Sequence, residues 1–192
     1  AREVVDNYDK QFNLLNFNDE IAFEYQYLLV DLEHLTNYLN DAIAFSEGLL
    51  QKALNKHQRA KCQYLFAHCL RHIGEELDRA YVIFNDLIKD TDYKDDKIRI
   101  RSIYSAASIK MFQGDVDYPY EKAFEEIERI MNVDEKNAVW MPYVARHRAI
   151  YEYKICKNIN TAEQILLDTI RLLEVTPLRI KYDIYFELAD IY

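Results

Sequence analysis

The chain has 192 residues, of which 50% are hydrophobic, but only three glycines and three prolines. An all-β fold is excluded, because strand pairs need more turn dipeptides than the single Gly114-Asp115, which lies between two helical patterns. The formal net charge of -9 would repel phosphate backbones, so nucleic acid is not expected as a partner of this segment.

Apolar residues recur at helical spacing along the chain, which predicts an all-α fold. We interpret the chain as a single repeat domain with a leading helix, helical hairpins and the first helix of an incomplete further hairpin. The leading helix is predicted over 1–16, the hairpins over 18–54, 57–90, 95–132 and 137–174, and the last helix over 177–192.

An internal repeat supports this division. Each second helix begins with an alanine that follows a polar residue, at intervals of about forty residues. Apolar residues continue at helical spacing after that alanine, so one face of each helix is predicted to be buried. The alanine itself would allow a neighbouring backbone to approach closely. The four alanines are Ala42, Ala80, Ala123 and Ala162.

A first helix is predicted before each of these second helices, so the repeating unit is a helical hairpin. Gly74 and Gly114 are predicted to end first helices, because a helix C-terminus often needs a residue that tolerates positive φ. Pro119 is predicted in the first turn of the next helix, where its missing N–H is harmless, and Thr176-Pro177 is the same signal. The first helices are predicted near 19–35, 58–73, 97–113 and 138–156.

The hairpin resembles the tetratricopeptide (TPR) repeat at two places. After Gly114-Asp115 and an insertion that ends at Pro119, Tyr120-Glu121-Lys122-Ala123 is similar to the family's Gly-Asp-Tyr-Glu-Lys-Ala turn into its second helix. The resemblance implies a right-handed helical-hairpin solenoid of about four repeats. The last helix has the family's order of aromatic, large, small and aromatic residues, at Tyr185, Leu188, Ala189 and Tyr192.

Earlier copies match this first-helix pattern in part. In the second copy Phe66, Ala67 and Leu70 fit the spacing, while Gln63 stands where the first aromatic residue belongs. In the third copy Ala106-Ala107 fits the middle of the pattern.

Aromatic residues are abundant, with sixteen tyrosines and nine phenylalanines. Tyrosine recurs at matching places on the first three first helices, and a histidine takes that place on the fourth. The resemblance implies that residues near these positions line a concave, partner-binding surface. The alternative is that half or more of them are packing residues, and tyrosine suits either role. The candidate binding residues are Tyr27, Asp31, His34, Tyr64, His68, His72, Tyr104, Ser108, His147 and Tyr151.

His68 and His72 are spaced i, i+4 around Cys69, but the H-E-x-x-H pattern and a third ligand are missing, so no metal is expected. A dyad of Cys69 or Cys156 with His147 lacks a glycine-rich oxyanion turn or a family signature. The three scattered glycines cannot build a P-loop or a G-x-G-x-x-G loop. We therefore expect no cofactor and no enzymatic activity.

The remaining signals concern location. No apolar run approaches the roughly 18 to 20 residues that span a bilayer, and the N-terminus lacks the basic and apolar regions of an export signal. Cys62, Cys69 and Cys156 fit no C-x-x-C spacing and are predicted to be reduced, buried thiols. We expect a cytoplasmic protein without a membrane partner.

Because the first residue is Ala1 and not methionine, we also expect a trimmed or internal segment.

The resemblance implies a protein- or peptide-binding scaffold or sensor segment of a larger multidomain bacterial protein. By family analogy the parent is a signalling ATPase of the STAND kind, whose helical-repeat tail recognises a ligand protein. The alternative is the peptide-pheromone receptor domain of a transcriptional regulator. A nucleotide-binding or effector domain upstream would indicate the first, and a helix-turn-helix module the second.

The last predicted helix has two apolar sides, whereas a terminal capping helix normally has a polar outer face. We therefore expect further helices in the natural protein, and self-association of the isolated segment through this helix. One side carries Ile180, Ile184, Leu188 and Ile191, and the other carries Leu178, Tyr182, Tyr185, Ala189 and Tyr192.

Overall fold

The computed structural model of the chain describes residues 19–35, 39–53, 55–90, 95–172 and 178–192. Within these ranges the regular secondary structure is helical, with no strand, which confirms the all-α prediction. The predicted leading helix over 1–16 lies outside the described residues. The helices are α1 (Asp19–Leu35), α2 (Leu39–Gln51), α3 (Lys56–Ile73), α4 (Leu77–Lys89), α5 (Asp96–Gln113), α6 (Tyr120–Met131), a 3-10 helix (Glu135–Trp140), α7 (Met141–Lys154), α8 (Ile159–Leu172) and α9 (Leu178–Ile191).

Three of the four predicted first helices agree with α1, α3 and α5 to within about two residues, which is the usual precision of a helix boundary. The fourth prediction, a continuous helix over 138–156, is wrong at its start. A 3-10 helix precedes α7, and Pro142 lies in the first turn of α7. Because proline lacks an N–H and clashes with the carbonyl four residues earlier, an α-helix begins at this point more readily than it passes through.

Side-chain caps begin two of the first helices. Asn55 precedes α3, and its Oδ1 accepts a hydrogen bond from the Gln58 backbone N–H at 2.9 Å. Asp95 precedes α5 and accepts from the Ile98 N–H at 3.2 Å. Each cap satisfies one of the backbone donors that have no partner within the first helical turn.

Glycine ends both of these helices, as predicted. Gly74 follows α3 with φ 79°, and Gly114 follows α5 with φ 70°, which is the left-handed region that other residues rarely adopt. After α5 the Gly114 N–H donates to the Met111 carbonyl at 3.1 Å, and the Asp115 N–H donates to the Lys110 carbonyl at 3.0 Å. These two bonds form a Schellman motif, which stops the helix and turns the chain towards α6.

The helices are grouped into two compact units, one that ends at Ile83 and another that begins at Phe84. In the first unit α1 packs against α2 and α3, and α2 packs against α3. In the second unit α5 packs against α6 and α7, α6 against α7, α7 against α8 and α9, and α8 against α9. Thus α1, α5 and α7 each contact the second helix of their own hairpin and the next first helix. The single repeat domain over 1–192 stays a prediction.

The alanines at the heads of the second helices lie in the core. Ala42, Ala80 and Ala162 have 0% exposed surface, and Ala123 is half-buried against the core around Phe124. Larger residues one and two turns later complete each core, as the helical spacing predicts. Phe84 and Phe124 are both buried in this way.

The first unit has one described core cluster, and the second unit has two. In the second unit, α7 contributes Val144 to the cluster it shares with α5 and α6, and Ala149 to the cluster it shares with α8 and α9. A helix that serves two neighbouring cores is expected when each hairpin packs only against the hairpins beside it.

The prediction of three buried thiols is correct for Cys62 and Cys69 and wrong for Cys156. Cys156 is exposed because α7 ends at Lys154 and leaves it in the turn that follows. Burial raises the pKa of both Cys62 and Cys69 to about 12, since the thiolate would be poorly solvated between helices.

We expect one thiol of the native chain to react quickly with an aromatic disulfide reagent at pH 8, and two more to react only after unfolding. A thiol with a pKa of about 12 is almost entirely protonated at that pH, and the thiolate is the reacting form. The reaction would be followed by absorbance, and Cys156→Ser should remove the fast phase. Three fast thiols would contradict the described burial.

Replacing Ala42 by leucine should destabilise the chain by about 1–3 kcal/mol, because the larger side chain has no space between α1, α2 and α3. Ala44 lies on the same helix with its side chain exposed, so Ala44→Leu should change the free energy of unfolding by less than about 0.5 kcal/mol. Urea denaturation monitored by circular dichroism would measure both variants. Equal effects would mean that Ala42 is not a close helix contact.

Candidate functional site

Three candidate residues form a row of rings along α3. Tyr64, His68 and His72 are spaced one turn apart on one helix face. The Tyr64 and His68 rings are stacked with centroids 5.3 Å apart, and the His68 and His72 rings meet edge to face at 4.6 Å. Tyr64 is 1% exposed, His68 is 8% exposed and His72 is exposed. The row therefore runs from the core to the surface.

Arg71 holds the exposed end of this row. Its Nη2 atom lies 3.4 Å from His68 Nδ1 and 3.0 Å from His72 Nε2. An arginine side chain can only donate hydrogen bonds, so both histidine nitrogens must accept and carry no hydrogen in this arrangement. The two histidines and the guanidinium thus hold one another in place.

Helix α1 places two more candidates beside α3. Tyr27 and Asp31 are one turn apart, and both are half-buried. Lys61 of α3 lies over the Tyr27 ring, with Nζ 4.7 Å from the centroid. Asp31 is close enough to Cys69 for its negative charge to add to the raised pKa of that thiol.

We call the surface formed by Tyr27, Asp31, His68, Arg71 and His72 the α1/α3 surface. His34, the other α1 candidate, has its side chain outside the described residues. The α1/α3 surface combines an aromatic ring, a carboxylate and a guanidinium on helices that also share a core, so its polar groups are held by packed backbone.

The second unit holds a buried pair of candidates. The Tyr104 ring of α5 lies 4.8 Å from the His147 ring of α7, and the two residues are 7% and 5% exposed. His147 Nδ1 lies 2.8 Å from the Tyr143 carbonyl oxygen, which can only accept, so this nitrogen carries a hydrogen. Ser108 follows Tyr104 by one turn and is half-buried.

Tyr151, the last candidate, packs against the preceding second helix. Its ring lies 4.8 Å from the Tyr120 ring and 5.8 Å from the Phe124 ring, both in α6. A hydrogen bond with Cys156, together with burial, raises the pKa of Tyr151 to about 12. Tyr151 is thus mainly a contact between α7 and α6, with part of its side chain exposed.

Burial decides the open choice between binding and packing for two of the tyrosines. Tyr64 and Tyr104 are core residues, while Tyr27 lies at the edge of the surface. The burial of the neighbouring residues shows the reason for this outcome. In α3, buried residues run without a break from Tyr64 to Leu70, and in α5 from Ser102 to Ala107, as in a helix covered on several sides.

A shallow cavity lies in the second unit where α7 ends and α8 begins. Its volume is about 200 Å³, and it is lined by Tyr153, Lys154, Lys157 and Ile159. Pockets for small molecules usually measure about 300–1,000 Å³ and are largely enclosed. This cavity is too small to be the main binding site.

Comparison with known proteins does not test the resemblance to the TPR repeat. No protein-family model matches the chain, and no relative was found among curated proteins. Among the described residues, no three His, Cys, Asp or Glu side chains are grouped as metal ligands would be. None of the helices in the described ranges combines the length and the apolar composition needed to cross a bilayer.

Tyr64→Ala should lower the free energy of unfolding by about 3–5 kcal/mol, because it removes a large side chain from a buried site. His72→Ala should lower it by less than about 1 kcal/mol, since this ring is exposed and loses one edge-to-face contact. Chemical denaturation would compare the two variants on one helix. A small effect of Tyr64→Ala would place this tyrosine on a binding surface instead.

Proposed function

We propose that the chain is a cytoplasmic scaffold that binds a protein or peptide along a right-handed solenoid of about four helical hairpins. The observation that carries this proposal is the packing of α1, α5 and α7, each of which contacts the second helix of its own hairpin and the next first helix. Stacking of this kind produces an extended, preformed surface on consecutive first helices, and such surfaces bind other chains in repeat proteins.

The chemistry of the α1/α3 surface suits a peptide. Lys61 already lies over the Tyr27 ring, so the remaining exposed part of that ring suits an apolar side chain. The Asp31 carboxylate can accept hydrogen bonds from backbone N–H groups or a lysine. Arg71 already donates to two histidines and adds positive charge beside the exposed His72. Because packed helices hold these groups, little conformational entropy would be lost on binding.

The titratable groups described above favour binding over catalysis. The Cys69 thiol is buried and its pKa is raised to about 12, so it is a poor nucleophile at neutral pH. Cys156 is exposed in the turn after α7 and forms a hydrogen bond with Tyr151, whereas the His147 ring is buried against Tyr104. A hydrogen bond from Arg129, with the charges of Arg129 and Arg99, lowers the pKa of Glu126, so this carboxylate serves in ion pairs and not as a general acid.

The two parent proteins named from the sequence, a STAND-type signalling ATPase and a peptide-pheromone receptor, stay predictions that rest on the TPR resemblance. In both, this segment would bind a proteinaceous ligand and an attached domain would respond. The binding role proposed here is common to the two and does not depend on the choice between them.

Linear peptides selected from a random display library against the chain should include sequences that bind with micromolar affinity. Asp31→Ala combined with His72→Ala should weaken the selected peptides at least tenfold, a loss of about 1.4 kcal/mol, because both side chains belong to the α1/α3 surface. Isothermal titration calorimetry would measure the affinities, and amide chemical shifts would map the contacts.

Asp168→Ala is the matched control, since Asp168 is an exposed acid on the second helix α8 whose described ion pair is with Arg171. It should leave affinity unchanged. Binding would use another surface if the selected peptides contact second helices. The same conclusion would follow if the double variant binds them with unchanged affinity.

A further inference from the structure

Helix α9 of the second unit exposes an unusual set of aromatic side chains. Tyr182, Tyr185, Phe186 and Tyr192 are between 54% and 86% exposed. Tyr192 directly follows α9, and its hydroxyl donates to Glu163 Oε1 of α8. With about 100° of rotation per residue, the other three occupy an arc of roughly 100°, which also contains the exposed Ala189. We call these five residues the α9 aromatic face.

The opposite side of α9 is already occupied. Ile180, Ile184 and Leu188 are buried in the cluster that α9 shares with α7 and α8. The α9 aromatic face is therefore a second apolar surface on a helix whose core side is complete. Three exposed aromatic rings on one short helix, with a fourth directly after it, exceed the scattered apolar residues that a monomer surface normally shows.

Internal comparison indicates what kind of element such a face accepts. Ala189 holds the small-residue position of the first-helix pattern, which Ala67 and Ala107 hold in earlier copies. Both of those alanines are 0% exposed, and Ala107 belongs to the core that α5 shares with Tyr120 and Phe124 of α6. The equivalent face of α5 is thus covered by an amphipathic helix. A helix is the element expected on the α9 aromatic face.

The charged residues beside the α9 aromatic face indicate which charge the bound helix should carry. Asp183 and Asp190 flank one edge of the face, and neither forms an ion pair with another described residue. Glu187 lies on the same side of α9 but farther from the aromatic face, and its Oε1 is 2.5 Å from Arg146 Nη2. Lys181 lies on the other edge. A helix with a row of Lys or Arg beside its apolar stripe would place that row against the two aspartates.

A second copy of this chain is a poorer match. In whichever direction two α9 helices are paired, the interface would contain four aspartates of this edge and two Lys181 side chains. Each copy also carries a net charge of -9, so long-range repulsion opposes the approach of two copies.

We propose that the α9 aromatic face binds a basic amphipathic α-helix of a partner protein. The apolar stripe of that helix packs on Tyr182, Phe186 and Ala189, and its basic row lies beside Asp183 and Asp190. This site is additional to the α1/α3 surface, which belongs to the first unit, so the two proposals can fail separately. A further helix of the natural protein and self-association through α9, both expected from the sequence, are the competing occupants of this face.

The test uses two labelled synthetic peptides of about 18 residues, long enough for roughly five helical turns. Both have the same leucine stripe, and one has lysines where the other has glutamates along one flank. Fluorescence anisotropy with the full chain should show at least tenfold tighter binding of the lysine peptide at low ionic strength, with the difference decreasing as salt increases.

Two sets of variants locate the binding. Phe186→Ala and, separately, Tyr182→Ala should each weaken the lysine peptide at least fivefold, as expected for aromatic anchors. Phe112→Ala removes an exposed ring of α5 and should leave the affinity for the lysine peptide unchanged. Asp183→Lys with Asp190→Lys should reverse the preference between the peptides, whereas the same charge change at the exposed Asp117 and Glu125 should leave the lysine peptide favoured.

Several results would overturn the proposal. Equal affinity for the two peptides would show that charge does not select the partner, and insensitivity to both aromatic variants would place binding elsewhere. Dimers seen by sedimentation velocity at micromolar concentration, and abolished by Phe186→Ala, would make a second copy the occupant. Thermal melting of each variant serves as the folding control, and these exposed positions should shift the midpoint little.

Discussion

Close contact between neighbouring helices at small residues is the constraint on which the rest of this structure depends. Ala42, Ala80 and Ala162 have no exposed surface, and each stands at the head of a second helix. Helix axes can lie about 8–10 Å apart only where the side chains between them allow it. The larger residues that follow, such as Leu166 after Ala162, then fill the space one turn later. Close hairpins also allow consecutive first helices to contact each other.

That packing determines the properties of the polar groups near it. Tyr64 anchors the ring row of α3 in the core, so His68 and His72 are held in fixed orientations towards the surface. Arg71 completes the arrangement by donating to both. Surface groups supported in this way lose little freedom on binding, so burial of one candidate residue is compatible with the binding role proposed for its neighbours.

Ion pairs between helices add geometric specificity more than stability. Lys61 pairs with Glu24 between α3 and α1, Arg99 with Glu126 between α5 and α6, and Arg146 with Glu187 between α7 and α9. Part-exposed pairs of this kind typically contribute less than about 1 kcal/mol each. With 24 basic and 33 acidic residues, the chain has more acids than these pairs can neutralise. The surplus accounts for the formal net charge of -9.

The sequence by itself determined the helical class, the positions of most helices and the turns at Gly74 and Gly114. These features follow from local physics, namely the 3.6-residue period and the few residues that tolerate a left-handed backbone. Only the tertiary structure decided which tyrosines are core. Tyr27 and Tyr64 occupy matching places on their helices, yet Tyr64 is buried and Tyr27 is half-exposed. The difference arises because exposure depends on how many neighbouring helices cover a position, and a helical period specifies the face of a residue but not the number of helices packed against it.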